Sequence, residues 1–188
     1  MTANSASSRE CVILDACCII NLYSTGRIGE IIEALPEQVA IAAFVHEQET
    51  LHIGADPHDP RSSEDELIDL RPFIERGLLL VVSPNSDQEN QTFVTFAATV
   101  DDGEAITGAI AAHRNWAIGS DDGGAIRFFL CYTPPLHIIT TPDLIKYWVD
   151  QVNLPPDQIR DVLQRVRMRA RYEPGGKHPL CNWWRERA

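Results

Sequence analysis

The sequence predicts an α/β fold in which a central parallel sheet of about five strands lies between two layers of helices. Short apolar runs with the length and composition of buried strands recur along the chain. Segments of ten or more residues with helical character separate several of these runs, an alternation typical of a parallel sheet with helices on both faces. The predicted strands are residues 11–14, 39–42, 78–82, 116–119 and 136–139.

The predicted helices occupy most of the chain between and after these strands. Thr141 followed by Pro142 indicates one helix start, because proline fits the first turn of a helix. The predicted helices are residues 17–25, 27–35, 42–52, 63–76, 87–98, 102–114, 122–131, 142–150 and 156–171.

The length of 188 residues favours one domain with a short addition. We expect a polar leader over residues 1–10, the α/β domain over 11–150 and a basic helical C-terminal extension over 151–188. The formal net charge is −11, which by itself argues against nucleic-acid binding. Residues 151–188, however, hold 8 of the 16 Lys and Arg residues and only 4 of the 27 Asp and Glu residues.

The basic residues of this extension are interleaved with tryptophans, a combination that can attract RNA phosphates and stack bases. The alternative is a helix with a charged outer face, whose Val162, Leu163 and Val166 pack on the domain, and a tail whose tryptophans dock on the core. We favour the second explanation, because every surface helix needs a solvated face, although both can hold together.

Composition argues against several classes of protein. Five cysteines without CxxC spacing favour reduced thiols in a cytoplasmic protein over a disulfide framework. No window is long and apolar enough to span a bilayer, so no membrane association is expected. The chain also has no glycine-rich phosphate loop, so nucleotide cofactor chemistry is not expected.

Acidic residues follow two of the predicted strands at the point where each strand ends. Asp15 follows the first strand, and Asp121 and Asp122 follow the fourth. A helix cap explains each acid taken alone, but ligands of open α/β sheets gather at the carboxyl ends of strands. If the first strand is central and the fourth lies beside it, these acids meet where the strand order reverses.

Two further acids approach this edge from predicted helices. Glu104 lies in the first turn of the helix over 102–114, and Glu47 lies at the edge of an apolar face. Complementation of the helix dipole explains Asp101 and Asp102, which rank as supplements to Glu104. Glu49 is expected to be solvent-exposed.

A cluster of Asp15, Glu47, Glu104 and Asp122 predicts a metal site, because close carboxylates repel one another unless cations compensate them. Ligands that are all oxygen atoms select hard ions, so Mg²⁺ or Mn²⁺ is the expected cofactor. Such ions activate water and stabilise charge on an attacked phosphate, which predicts phosphodiester hydrolysis.

The chain resembles the PIN-domain ribonucleases over roughly residues 11–150, and most closely the toxin components of VapBC-type toxin–antitoxin pairs. The resemblance consists of four short motifs in the family's order, on the predicted elements that carry them in the family. The motifs are Leu14-Asp15, Val45-His46-Glu47, Gly103-Glu104-Ala105 and Ser120-Asp121-Asp122.

The resemblance implies a three-layer α/β/α fold and a Mg²⁺- or Mn²⁺-dependent endoribonuclease that leaves a 5′-phosphate and a 3′-hydroxyl. It implies Asp15 and Asp122 as the main metal ligands, completed by Glu104 and Glu47, with Asp121 as a second choice. It also implies an RNA substrate, a small antitoxin protein as partner, and a homodimer.

Two positions depart from the family pattern. Cys17 stands where the family often has Ser or Thr, and Gly123-Gly124 stand where a basic or polar residue is usual. These departures motivate an alternative function, a catalytically weak PIN-like module that binds RNA or protein. A DNA-directed nuclease is a third, weaker alternative that the same carboxylates would serve.

One loop also contains histidine and aspartate, residue types that can bind metals. His52, Asp56, His58 and Asp59 lie close together in the sequence. Their spacing matches no zinc pattern, so a solvated loop is the prediction there.

Overall fold

The computed structural model describes residues 11–49, 51–55 and 66–188. The predicted leader and the loop residues Asp56, His58 and Asp59 lie outside the described residues. The strands within the described ranges are β1 (Cys11–Leu14), β2 (Gln38–Ala42), β3 (His52–Ile53), β4 (Glu66–Leu67), β5 (Leu79–Val82), β6 (Ala117–Gly119) and β7 (Ile138–Ile139).

Helices make up much of the remaining described chain. They are α1 (Ala16–Ser24), α2 (Ile28–Ala34), α3 (Ala43–Gln48), α4 (Arg71–Glu75), α5 (Asp87–Phe96), α6 (Asp102–Arg114), α7 (Gly123–Cys131), α8 (Thr141–Val152), α9 (Pro156–Arg165) and α10 (Cys181–Arg185), with a π-helical turn at Val166–Ala170. No helix of the described ranges is both long and apolar enough to cross a membrane.

Five strands form one parallel sheet in the order β5-β2-β1-β6-β7. Helices α1, α2 and α8 pack together, and α5, α6 and α7 form a second group. In the second group, the Phe96 ring contacts Phe128 edge to face and Phe129 at a tilted angle. The predicted α/β class and five-stranded parallel sheet between helices are confirmed. All four residues of β1 are buried, as expected for a central strand covered on both faces.

The carboxyl ends of β1 and β6 lie side by side. Leu14 is in register with Gly119, and the backbone N–H of Asp15 donates to the Gly119 carbonyl at 3.0 Å. A Cβ on Gly119 would overlap the Leu14 side chain, so glycine permits this close approach. The chain continues from β1 to β2 on one side and from β6 to β7 on the other, which makes this edge the topological switch point.

Two predicted helices are wrong in part. The helix predicted over 42–52 ends at Gln48, and the one predicted over 63–76 gives way to β4 and to a helix that begins only at Arg71. The physical reason is long-range pairing, since β3 and β4 form an antiparallel pair. The Gly54 N–H donates to the Arg169 carbonyl at 2.8 Å, and no local periodicity reveals contacts of that separation.

The C-terminal segment packs on the domain. Ile159, Val162, Leu163 and Val166 belong to the same buried core as the central strands, and Trp184 is 1% exposed. The prediction that the basic helix turns an apolar face to the domain is therefore confirmed. Its predicted extent of 156–171 is wrong beyond 165, where a π-helical turn follows α9, and α10 was not predicted.

Candidate functional site

Asp15 is both a helix cap and a buried acid at the end of β1. Its Oδ1 accepts hydrogen bonds from the Cys18 N–H at 3.1 Å and from the Cys17 thiol at 2.8 Å. The residue is 5% exposed, and this burial raises the pKa of Asp15 to about 6, against the opposing effect of its hydrogen bonds. Asp15 is thus a helix cap, as the first explanation held. It is also a buried acid whose charge is not stabilised by water.

Cys17 occupies the position where the resembled family often has a hydroxyl. Its Sγ donates to Asp15 Oδ1 and accepts from the Asp121 N–H at 3.1 Å. A thiol can donate and accept as a hydroxyl does, although more weakly. The Cys17 thiol therefore serves as a hydrogen-bond donor to Asp15 in place of a hydroxyl.

Asp122 caps α7 at the exit of β6. Its Oδ1 accepts from the backbone N–H groups of Gly124 at 2.7 Å and Ala125 at 2.8 Å. A Cβ on Gly124 would lie 2.9 Å from this oxygen, closer than real Cβ atoms come to a neighbour. The Gly123-Gly124 departure therefore has a structural reason at Gly124, where a side chain would crowd the Asp122 carboxylate.

Asp121 is used in a different way. Its carboxylate accepts from Asn21 Nδ2 at 2.9 Å, the Thr141 N–H at 3.0 Å and the Tyr172 hydroxyl at 2.8 Å, and from the Thr141 hydroxyl as well. Its side chain does not line the pocket that Asp15 and Asp122 share. Asp121 stays a second-choice metal ligand on the sequence alone, and donors from α1, α8 and the C-terminal segment hydrogen-bond to both of its oxygens.

Glu104 lies in the first turn of α6, as predicted. Asp101 caps that helix, since its Oδ1 accepts from the Glu104 N–H at 2.8 Å. Partial burial, and then the nearby carboxylates of Asp101, Asp122 and Asp15, together raise the pKa of Glu104 to about 7. The sequence ranked Asp101 only as a supplement, and the structure places it beside Glu104 in the same pocket.

Glu49, rather than Glu47, approaches this pocket. Glu49 is half-buried and lines the pocket, whereas Glu47 is exposed and does not. Burial and the carboxylates of Asp101 and Asp15 raise the pKa of Glu49. The expectations for both glutamates are corrected: Val45 is buried, so the residue four positions later shares its helix side and the residue two positions later faces away.

Gly103 explains how Glu49 fits. A Cβ on Gly103 would overlap Glu49 Oε1 and lie 3.4 Å from the Val45 side chain. The glycine at the start of α6 therefore makes room for the second glutamate. The spacing of Val45 and Glu49 is the sequence signal that could have identified Glu49 as the inward-facing acid.

Five carboxylates line one pocket of about 240 Å³ at the switch point. No Lys, Arg or His side chain of the described chain lines it. Across residues 11–49, 51–55 and 66–188, no three His, Cys, Asp or Glu side chains stand ready to hold a metal ion as they are placed. The lining residues are Asp15, Ala16, Cys17, Glu49, Asp101, Gly103, Glu104 and Asp122.

Comparison of the chain with protein-family models, curated proteins and solved structures finds no match. The resemblance to PIN-domain ribonucleases therefore stays a prediction from the sequence motifs.

Proposed function

We propose that this protein is a Mg²⁺- or Mn²⁺-dependent endoribonuclease. One observation carries the proposal: Asp15, Glu49, Asp101, Glu104 and Asp122 surround one pocket at the switch point without a basic side chain among them. Burial raises the pKa values of Asp15 and Glu104, and repulsion from the other acids of the pocket adds to the rise at Glu104, so the negative charge there lacks compensation. A divalent cation is the partner that such a pocket favours.

The donor set fits a hard cation. Asp15, Glu104 and Asp122 would hold it, with Glu49 and Asp101 beside them, through oxygen atoms alone. Because no three acidic side chains of the described residues are already arranged around one point, we expect water to complete the coordination or the longer Glu104 side chain to turn. When bound, the cation supplies an activated water and stabilises negative charge on the phosphate.

The chain's own contribution is to fix the acids before the substrate arrives. Asp15 and Asp122 are held by backbone N–H donors at the starts of α1 and α7, which fixes their carboxylates at two neighbouring strand exits. The hydrogen bonds to Asp122 from the described chain use Oδ1, which leaves Oδ2 for a ligand. Such fixed ligands lower the reorganisation that the reaction requires.

A second candidate function is an RNA- or protein-binding module with weak catalysis. The same absence of a ready-made group of three metal-binding side chains, within the described ranges, favours it. The two candidates differ in their response to metal. A nuclease requires the ion, whereas a binding module does not.

The response to Mn²⁺ tests the proposal. At a concentration about 100 times the Kd, an ion that binds only the folded protein should raise the melting temperature by about 5–10 °C. The same Mn²⁺ should start cleavage of single-stranded RNA, but not of DNA of matched sequence, and EDTA should stop it. RNA binding without a melting shift or cleavage would favour the binding module, and equal cleavage of both polymers would favour a general nuclease.

Glu47 in α3 and Glu49 at its C-terminal end provide a matched pair of variants. Glu49→Gln should weaken the Mn²⁺-dependent rise in melting temperature and lower cleavage by about 10-fold or more, because it removes a carboxylate from the pocket. Glu47→Gln removes the same charge from the exposed side of the same helix and should leave both measurements unchanged. The reverse pattern would restore Glu47 as the functional residue.

The resemblance to VapBC-type toxins extends the proposal to partners. We propose that the chain binds a small antitoxin protein and forms a homodimer. Both proposals rest on the four sequence motifs alone. Co-expression with the product of an adjacent small reading frame should suppress RNA cleavage if the antitoxin exists. Sedimentation of the purified chain measures whether it is a dimer.

A further inference from the structure

A second pocket of about 270 Å³ adjoins the carboxylate pocket at the same edge of the sheet. Cys17 and Asp122 line both pockets, so the two are adjacent. The second pocket also contains a basic residue, Arg171, at its rim. The remaining lining residues are Ile20, Asn21, Asp121, Ala170 and Tyr172.

The backbone holds Arg171 in an unusual conformation. Its φ of 53° lies in the left-handed region, which residues other than glycine seldom adopt. It directly follows the π-helical turn Val166–Ala170, and such turns often occur at functional sites. Strained residues of this kind persist only where the surrounding structure enforces them.

Contacts on both sides of Arg171 enforce this conformation. On one side, Arg169 is buried and donates to Glu66 Oε2 at 2.6 Å and to the Gly54 carbonyl at 3.2 Å. On the other side, the Tyr172 hydroxyl donates to Asp121 Oδ1 at 2.8 Å, so the chain is tied to the exit of β6. Arg171 is therefore carried at a fixed point between two anchored residues.

The guanidinium of Arg171 is exposed and makes no hydrogen bond or ion pair with the described part of the chain. The neighbouring arginines differ, because Arg165 pairs with Asp161 and Arg167 pairs with Glu173. Arg171 is thus a positioned cation that has no carboxylate partner in the described chain and lies beside a pocket of five acids. The acids repel a polyanionic phosphodiester substrate at long range. A cation beside the pocket offsets this repulsion and attracts the substrate.

We infer that Arg171 binds a backbone phosphate of the RNA next to the one that lies over the carboxylate pocket. The inference rests on the proposed function for its substrate class. A guanidinium can donate two parallel hydrogen bonds to the oxygens of one phosphate, which the compact ammonium of lysine cannot do. Arg171 is a positioning residue for the substrate and takes no part in bond cleavage.

Binding of a short fluorescein-labelled single-stranded RNA tests this inference. The measurement is fluorescence anisotropy over a series of salt concentrations, in Ca²⁺, with RNA integrity checked on a gel. Arg171→Ala should raise the Kd about 10-fold and reduce the slope of log Kd against log salt by about 0.7, since one phosphate contact is lost. Arg171→Lys should keep the slope but recover only part of the affinity.

Two further variants separate binding from folding. Arg171→Gly removes the cation and relieves the left-handed strain, so it should weaken RNA binding as much as Arg171→Ala while melting at or above the wild-type temperature. Arg160→Ala removes one exposed cation of α9 that lines neither pocket and should change neither Kd nor slope.

The inference and the proposed function fail in different ways. An Arg171→Ala variant that binds RNA as the wild type does, or loses no more than Arg160→Ala, would overturn the inference even if the protein cleaves RNA. Wild-type protein that binds RNA through Arg171 without cleaving it would leave the inference standing and overturn the nuclease. A wild-type protein that binds no RNA would overturn both.

Discussion

Asp15→Asn is expected to lower Mn²⁺-dependent RNA cleavage by about 1,000-fold, since a bound metal ion contributes several kcal/mol to transition-state stabilisation. Asn keeps an oxygen that can accept from the Cys17 thiol and the Cys18 N–H, so the start of α1 should survive. The measurement is the initial rate with saturating Mn²⁺. A fully active variant would show that Asp15 does not hold the metal.

The same substitution should stabilise the metal-free protein. Burial raises the pKa of Asp15 from 3.8 to about 6, so the folded state binds this proton more tightly than the unfolded state. Above pH 6 the folded state carries an unfavourable buried charge of the order of 2–3 kcal/mol, which Asn removes. As the pH falls from 6 to below 4 the carboxyl is protonated in both states and the advantage of Asn should vanish.

Urea unfolding in EDTA at pH 7.5 and at pH 4 measures this difference. Asp157→Asn, at an exposed position in the first turn of α9, is the control and should show neither the stabilisation nor the loss of cleavage. If Asp15→Asn were less stable than wild type at pH 7.5, its carboxylate would have a structural role that outweighs the cost of its burial.

Asp121→Ala is expected to destabilise the fold by about 3 kcal/mol or more. The carboxylate accepts from Asn21, Thr141 and Tyr172, and hydrogen bonds to a charged group contribute about 1.5–3 kcal/mol each. Asp122→Ala should cost only about 1 kcal/mol, the usual effect of losing a helix cap, and should nevertheless abolish metal-dependent cleavage. Loss of Asp121 is thus expected to affect stability most, and loss of Asp122 to affect cleavage most.

Urea unfolding and cleavage measured on both variants decide between the two aspartates. Asp121→Asn serves as the milder change, since it keeps one side-chain oxygen for these donors. If Asp121→Asn lost cleavage while keeping wild-type stability, Asp121 would be the metal ligand and the assignment of Asp122 would be wrong.

The sequence was sufficient for features that depend on short segments. The positions of Asp15 and Asp122 were predicted because an apolar run that ends on an acid marks a strand exit, and parallel pairing then brings both exits to one edge. Glu104 was identified by its place in the first helical turn. The condition on which the meeting of the two strand exits depended, a central first strand with the fourth predicted strand beside it, holds in the structure.

Other features depend on contacts that the sequence does not display. The fit of Glu49 in the pocket depends on Gly103 of α6, where a Cβ would overlap the Glu49 carboxylate. The division between Asp121 and Asp122 depends on donors from Asn21 and Tyr172, 100 and 51 positions away. A polar residue within the apolar helix α1, Asn21, was the one local sign that a buried acceptor lay nearby.

The hydrogen bonds of Asp121 also have a kinetic meaning. They join the exit of β6 to Asn21, Thr141 and Tyr172, which lie 100, 20 and 51 positions away along the chain. Contacts between such distant segments form late, after the entropy of closing the intervening loops has been lost. Bonds of this kind prolong the lifetime of the folded state more than they speed its formation. We therefore expect the strand exit that carries Asp122 to open slowly once the chain has folded.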